Sequence, residues 1–202
     1  LLDVNGESLL PEWDDSLDKE SFSSQVKEIM AMDVYQELMK EEIEKARTEK
    51  GSRAEVSRME AAKVIGMMDS HAPLTRELRK LLKDESPEVV GYAAESAGRL
   101  RKREFVPLLI GLLGRASTQE AAGQALGAYG GTIVGMMKDF LSDPQENIRI
   151  RRAIPGILSK SGSQRVVDIL SMELAKEDTD VETEIIEALH KMRSFDPQLR
   201  FP

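Results

Sequence analysis

The sequence predicts an all-α protein built as a right-handed α-solenoid, a stack of helical pairs closed at its N-terminal end by a capping helix. Three observations carry that prediction. A short motif of small and apolar residues recurs in near-constant step: Ala61, Ala62, Ile65, Gly66, Met68; then Ala93, Ala94, Ala97, Gly98, Leu100; then Ala122, Gly123, Leu126, Gly127, Tyr129. Looser copies follow at Ile154, Pro155, Leu158 and at Ile185, Ile186, Leu189, Met192, so that first residues fall at 61, 93, 122, 154 and 185. Fixed spacing near 30 residues marks units that cannot bury an apolar face alone and do so by stacking. Composition agrees, because aromatics are only 4% of the 202 residues, which is thin for a β-sandwich or barrel, while helix formers are abundant.

Residues 1–23 read as an acidic arm or linker. The first twenty hold seven acids and one Lys, punctuated by Asn5-Gly6 and Pro11. A solvated tail is one reading of them; an arm whose Leu9, Leu10 and Trp13 dock on the repeats is the other. Residues 24–50 form the expected capping helix, with Val26, Ile29, Met30, Val34, Leu38 and Met39 on one broad face. A stack needs such an end element because a terminal repeat would otherwise expose its apolar flank.

The repeat domain spans 51–202, about four and a half pairs. Its clearest unit opens at Asp84-Glu85-Ser86-Pro87-Glu88, with Ser86 as N-cap and Pro87 at the first helical position, and runs to about Leu100. Arg101-Lys102-Arg103 makes the turn, and Phe105, Leu108, Leu109, Leu112 and Leu113 line the second helix. Asp143-Pro144 and Asp178-Thr179-Asp180 repeat the opening. Gly127, Gly130, Gly131 and Gly135 read as a tight interhelical turn, since their order fits no phosphate-binding loop and no strand precedes them. The pairs Met67-Met68 and Met136-Met137 are expected mostly in the core.

Net charge is −8, yet residues 51–202 hold 22 acids and 22 bases, so the front of the chain carries the whole excess. Neutral repeats argue against general nucleic-acid binding, which draws on a strong positive field. Cysteine is absent, which removes disulfides, thiolate metal sites and Cys nucleophiles and suits a reducing compartment. No apolar run approaches the roughly 18 residues of a transmembrane helix. The chain begins at Leu1, as expected of a piece of a longer or processed protein.

The Asp-x-x-Pro-x-Val opening, the Ala-Ala-x-x-Ala-Gly-x-Leu core and Val-Pro-Leu-Leu-x-x-Leu-Leu at 106–113 resemble the HEAT family of α-solenoid repeats, particularly the short bacterial variety also seen in phycobilin-lyase subunits. The resemblance covers roughly residues 52–193. An Arg that often follows the opening Val in that family is matched by Arg151 after Ile150, whereas Val90 and Glu182 stand there in other units, which breaks a continuous ladder of Asp–Arg pairs. Arg151 to Pro155, Ile157-Leu158, Gln164 to Leu170 and Glu187 to Arg193 look like the HEAT segment that follows the membrane domain of bacterial nucleotide-translocase or major-facilitator-like proteins. That resemblance implies a cytoplasmic segment, on the inner face of the membrane, of a transporter-like protein.

Neither histidine, His71 or His190, has a partner at ligand spacing, and the carboxylate run Asp178, Asp180, Glu182, Glu184 lacks the turn Gly and distal Glu of a calcium loop. No catalytic, cofactor or metal residue is therefore assigned, and the expected function is a non-catalytic interaction or scaffold module. Its partner would be a protein segment on the concave face, its own membrane domain or an anionic lipid. The candidate contacts for an anionic partner are two basic clusters, Arg99, Arg101, Lys102, Arg103 and Arg149, Arg151, Arg152. The alternative for each is structural: turn bases complement helix C-termini, and Arg151 or Arg152 would pair with Asp143, Asp178 or Asp180. Two other functions compete, a nucleic-acid-binding HEAT-like protein and a lyase-type protein handling a chromophore.

Overall fold

The computed structural model describes residues 33–49, 51–68 and 74–201. The acidic arm with Leu9, Leu10 and Trp13, the beginning of the expected capping helix and His71 lie outside the described residues. Those residues form ten α-helices and three 3-10 turns, and no strand occurs among them. No described helix is long and apolar enough to cross a membrane.

The chain divides into two compact units, one ending at Leu100 and the other beginning at Arg101. In the first, α1 (Asp33–Thr48) packs on α2 (Ser52–Met67), α2 on both α3 (Thr75–Leu81) and α4 (Pro87–Leu100), and α3 on α4. The packing of α2 against α4 is the most extensive, and the motif explains it. Ala61, Ala62, Ala93, Ala94 and Ala97 are all buried, so their short side chains bring two backbones together. A Cβ on Gly66 would lie 2.3 Å from Ser96 Oγ.

The start of α4 follows its sequence: Ser86 Oγ accepts the Val89 amide at 3.3 Å, and Pro87 takes the first helical position, where its missing N–H removes no bond. On α1 the buried face is Tyr35, Met39, Ile43 and Ala46, spaced four, four and three residues. Val34 and Leu38, expected on that face, are exposed, Val34 at 68%, because each lies one residue, or about 100°, round the helix.

The second unit contains α5 (Val106–Leu112), α6 (Gln119–Ala128), α7 (Val134–Ser142), α8 (Ile148–Leu158), α9 (Gln164–Leu174) and α10 (Glu182–Phe195). Neighbours in sequence pack together as α5 with α6, α7 with α8 and α9 with α10; alternate helices pack as α6 with α8, α8 with α10 and α7 with α9. Phe105, Leu109, Ile110, Leu113, Leu126, Met137, Ile154, Leu170 and Ile185 are buried core. Ile186 is 48% exposed, because the inward face of α10 is Ile185, Ala188 and Met192. Of the Met pairs, Met68 and Met137 are buried, Met136 is half-buried and Met67 is exposed.

One local device precedes α4 in the first unit and α8 and α10 in the second. Asp84 Oδ1 accepts the Ser86 amide at 3.0 Å, Asp143 Oδ1 the Gln145 amide at 2.9 Å and Asp178 Oδ1 the Asp180 amide at 3.1 Å. Each is an Asx turn that gives the chain an exit from one helix before the next begins.

Candidate functional site

The basic residues singled out by sequence fall into two classes, engaged and available. Arg99, on the last turn of α4, donates to the Glu95 carboxylate at 2.6 Å across one helical turn, with both side chains about half exposed. Such a pair contributes little to stability but takes up the charge.

Arg101, Lys102 and Arg103 open the second unit. Arg101 takes a left-handed conformation (φ +50°), which ends the helical path, and Lys102 is extended before a 3-10 turn, Arg103–Phe105, drops Phe105 into the core. The Lys102 carbonyl accepts a hydrogen bond from the Tyr129 hydroxyl at 3.0 Å. Burial, aided by the nearby Glu104 charge, raises the Tyr129 phenol far above its ordinary value, so this donor keeps its proton. Arg101 and Arg103 point to solvent, and no carboxylate pairs with any of the three bases among the described residues.

The second cluster divides differently. Arg149 is exposed on the first turn of α8, where its amide donates to the Asn147 side chain at 2.9 Å. Arg151 is only 4% exposed: its Nε donates to the Leu141 carbonyl at 3.0 Å, and its Nη2 donates to the Asp178 carboxylate. That hydrogen bond, joined by the Asp180 amide, holds the Asp178 carboxyl below the usual carboxylate range. Arg152 Nε donates to the Asp180 carbonyl at 2.8 Å and lies 3.6 Å from the Glu184 carboxylate. Arg151 therefore serves the fold, and Arg152 is partly engaged.

Sequence reasoning missed Arg58. It stands three residues before Ala61, as Arg151 stands three before Ile154, and it meets partners of the same kind through different nitrogens: Nη1 donates to the Ala46 carbonyl at 2.8 Å and Nη2 to the Asp84 carboxylate at 3.3 Å, with Nε 2.9 Å from that carboxylate. Counting back from the motif, rather than forward from a Val, would have found it. Two further bases were missed, Lys160 and Arg165. A Cβ on Gly127 would lie 3.5 Å from Lys160 Cδ, and one on Gly135 would lie 3.7 Å from Arg165 Nη2.

The first unit also holds a charged cleft of about 400 Å³ where Gly51 leads into α2, lined by Arg47, Arg58, Lys80 and Lys83 with Glu49, Asp84 and Glu85. Its bases are largely spent. Arg47 pairs with Glu44, Arg58 with Asp84, and Lys80 with both Glu44 and Glu77. Hydrogen bonding to Glu44, then to Glu77, raises the Lys80 pKa, and the bond from Lys80 lowers that of Glu44, as expected of a charge cluster satisfied internally. Among the described residues no group of three or more His, Asp or Glu is placed to hold a metal ion. Neither a protein-family model nor a curated protein sequence matches this chain.

Proposed function

We infer that the chain is a non-catalytic interaction or scaffold module, a right-handed solenoid of HEAT-like helical pairs, belonging to a larger bacterial membrane protein of transporter type on its cytoplasmic side. The observation that carries this reading is the pair of matched arginine clamps. Arg58 and Arg151 occupy the same register before the motif, and each ties a carbonyl near the end of the preceding helix to an Asp in the turn that opens the next pair. A guanidinium that meets a carbonyl and a carboxylate at once is a fastening, since its fork engages both together. Repetition of that fastening supports a periodic stack, and a periodic stack supports a binding surface along its second helices rather than a reaction site.

The reading is tested by photo-crosslinking in bacterial cells from Asp139 on α7 and Met172 on α9, both exposed on second helices, with Gln124 on α6 and Glu187 on α10 as first-helix controls. One polypeptide should be captured from both second-helix positions and neither control, and its purified segment should bind the purified chain. Equal capture from both kinds of helix, or none, would overturn the reading.

A further inference from the structure

The turns that join first to second helices lie side by side along one edge of the second unit. The Tyr129 hydroxyl ties turn 101–103 to the 3-10 turn Gly130–Ile133, and that turn packs against the next, Ser159–Ser161. Lys160 reaches over Gly127, and Arg165 over Gly135. Gln164 exchanges two hydrogen bonds with the Arg200 backbone, at 2.8 and 2.9 Å, which brings the C-terminal segment onto the same edge.

This edge collects Arg101, Lys102, Arg103, Lys160, Arg165 and Arg200, none of which is ion-paired among the described residues. Its acids are fewer: Asp168, which accepts from Gln164, Asp196, which accepts from the Gln198 amide, and Glu104, near Tyr129. At the other ends of the helices three bases are spent, Arg151 on Asp178, Arg152 on Glu184 and Lys176 on Glu173, while Arg149 and Arg115 face solvent there. Phe195, on the last turn of α10, is 79% exposed, the largest exposure of any described large apolar side chain, and α10 packs against the Ser159–Ser161 turn of this edge.

We propose that this edge docks on an anionic membrane surface. The inference rests on reading the chain as a non-catalytic module. A row of turn bases meets a plane of lipid phosphates all at once, and each Lys or Arg near such a surface strengthens binding about fivefold. Phe195 supplies what water does not reward and the headgroup boundary does, an aromatic ring beside the charged row. Single-stranded nucleic acid would call for several aromatics stacked along a groove, and this edge presents one to solvent, since Phe201 is covered by Arg193.

The test is co-sedimentation of the full chain with vesicles of phosphatidylcholine alone and of phosphatidylcholine mixed equally with phosphatidylglycerol, at low and moderate salt. The chain should bind only the anionic vesicles, and less as salt rises. The variant Arg101→Glu/Lys102→Glu/Arg103→Glu should weaken partitioning at least about tenfold, and Lys160→Glu/Arg165→Glu should do the same by an independent route should the triple variant fail to fold. Phe195→Ser should weaken binding without changing its salt dependence, and Arg115→Glu, an exposed reversal in the turn between α5 and α6, should leave it intact. Equal binding to both vesicles, equal loss in Arg115→Glu, or tighter binding to DNA at the same salt would overturn the proposal. The crosslinks from Asp139 and Met172 read a different surface, so either idea can fail while the other stands.

Discussion

Gly66→Ala is the sharpest probe of the packing between α2 and α4. The added methyl would lie 2.3 Å from Ser96 Oγ, 2.6 Å from Ser96 Cβ and 2.9 Å from Ser96 Cα, where carbon atoms ordinarily sit about 3.5–4.0 Å apart. The hydroxyl cannot swing aside freely, because it donates to the buried Ala62 carbonyl at 2.7 Å. Displacing it loses about 1 kcal/mol, and the third clash is with the backbone of α4, so the helices themselves must part. Overpacking of this kind costs about 1–3 kcal/mol, against about 1 kcal/mol gained by replacing Gly with Ala inside a helix. The expected net loss is about 2 kcal/mol, read as a lower urea midpoint at unchanged slope. Ser96→Gly removes the two shortest approaches, so the double variant should be more stable than the sum of the single losses by at least about 1 kcal/mol. Strict additivity, or a Gly66→Ala midpoint at or above that of the parent, would show that the two helices are not held this closely.

Arg151→Ala should cost about 2–3 kcal/mol, because it strands the Leu141 carbonyl and the Asp178 carboxylate, whereas Arg152→Ala, half exposed, should stay within about 1 kcal/mol; urea denaturation separates them, and equal losses would contradict the assignment of Arg151 as the buried fastening. The Asp178 carboxyl titrates lower in the folded chain than the roughly 3.9 of an unfolded Asp, so its contribution is fully present above that value and is lost as pH falls through the folded pKa. Melting temperature should therefore fall more steeply on acidification for the parent than for Asp178→Asn, and parallel curves would argue against the pair. Tyr129→Phe should lose about 1 kcal/mol with the bond to Lys102. Because the folded phenol is raised, the tyrosine's contribution is complete below about pH 10 and declines as unfolded chains ionise above it, so the variant should resist alkali better, relative to its neutral stability, than the parent. Ala93→Leu, at a fully buried position, should overpack by about 1–3 kcal/mol, visible in the same denaturation assay.

The order and identity of most helices are determined by local chemistry, and local chemistry can be read in one dimension. Ser86 and Pro87 set the start of α4 because capping needs only residues three positions apart, and the Ala and Gly motif marks its buried stripe because burial repeats with the helical turn. Where neighbouring positions are all apolar the reading slips by a residue, as at Val34 and Ile186, since which of two adjacent apolar residues turns inward is set by the partner helix. The fate of the bases belongs wholly to tertiary structure. Arg151 and Arg149 are two residues apart on one helix, yet one is buried against a carboxylate 27 residues onward and the other faces water. Lys160 and Arg165 attract no notice in the sequence and join the basic turn at Arg101 only because packing within the second unit brings turns 101–103, 130–133 and 159–161 together. Helical periodicity is a property of a few consecutive residues; charge pairing falls off over a few ångströms in space, and only the packed chain decides which charges come that close.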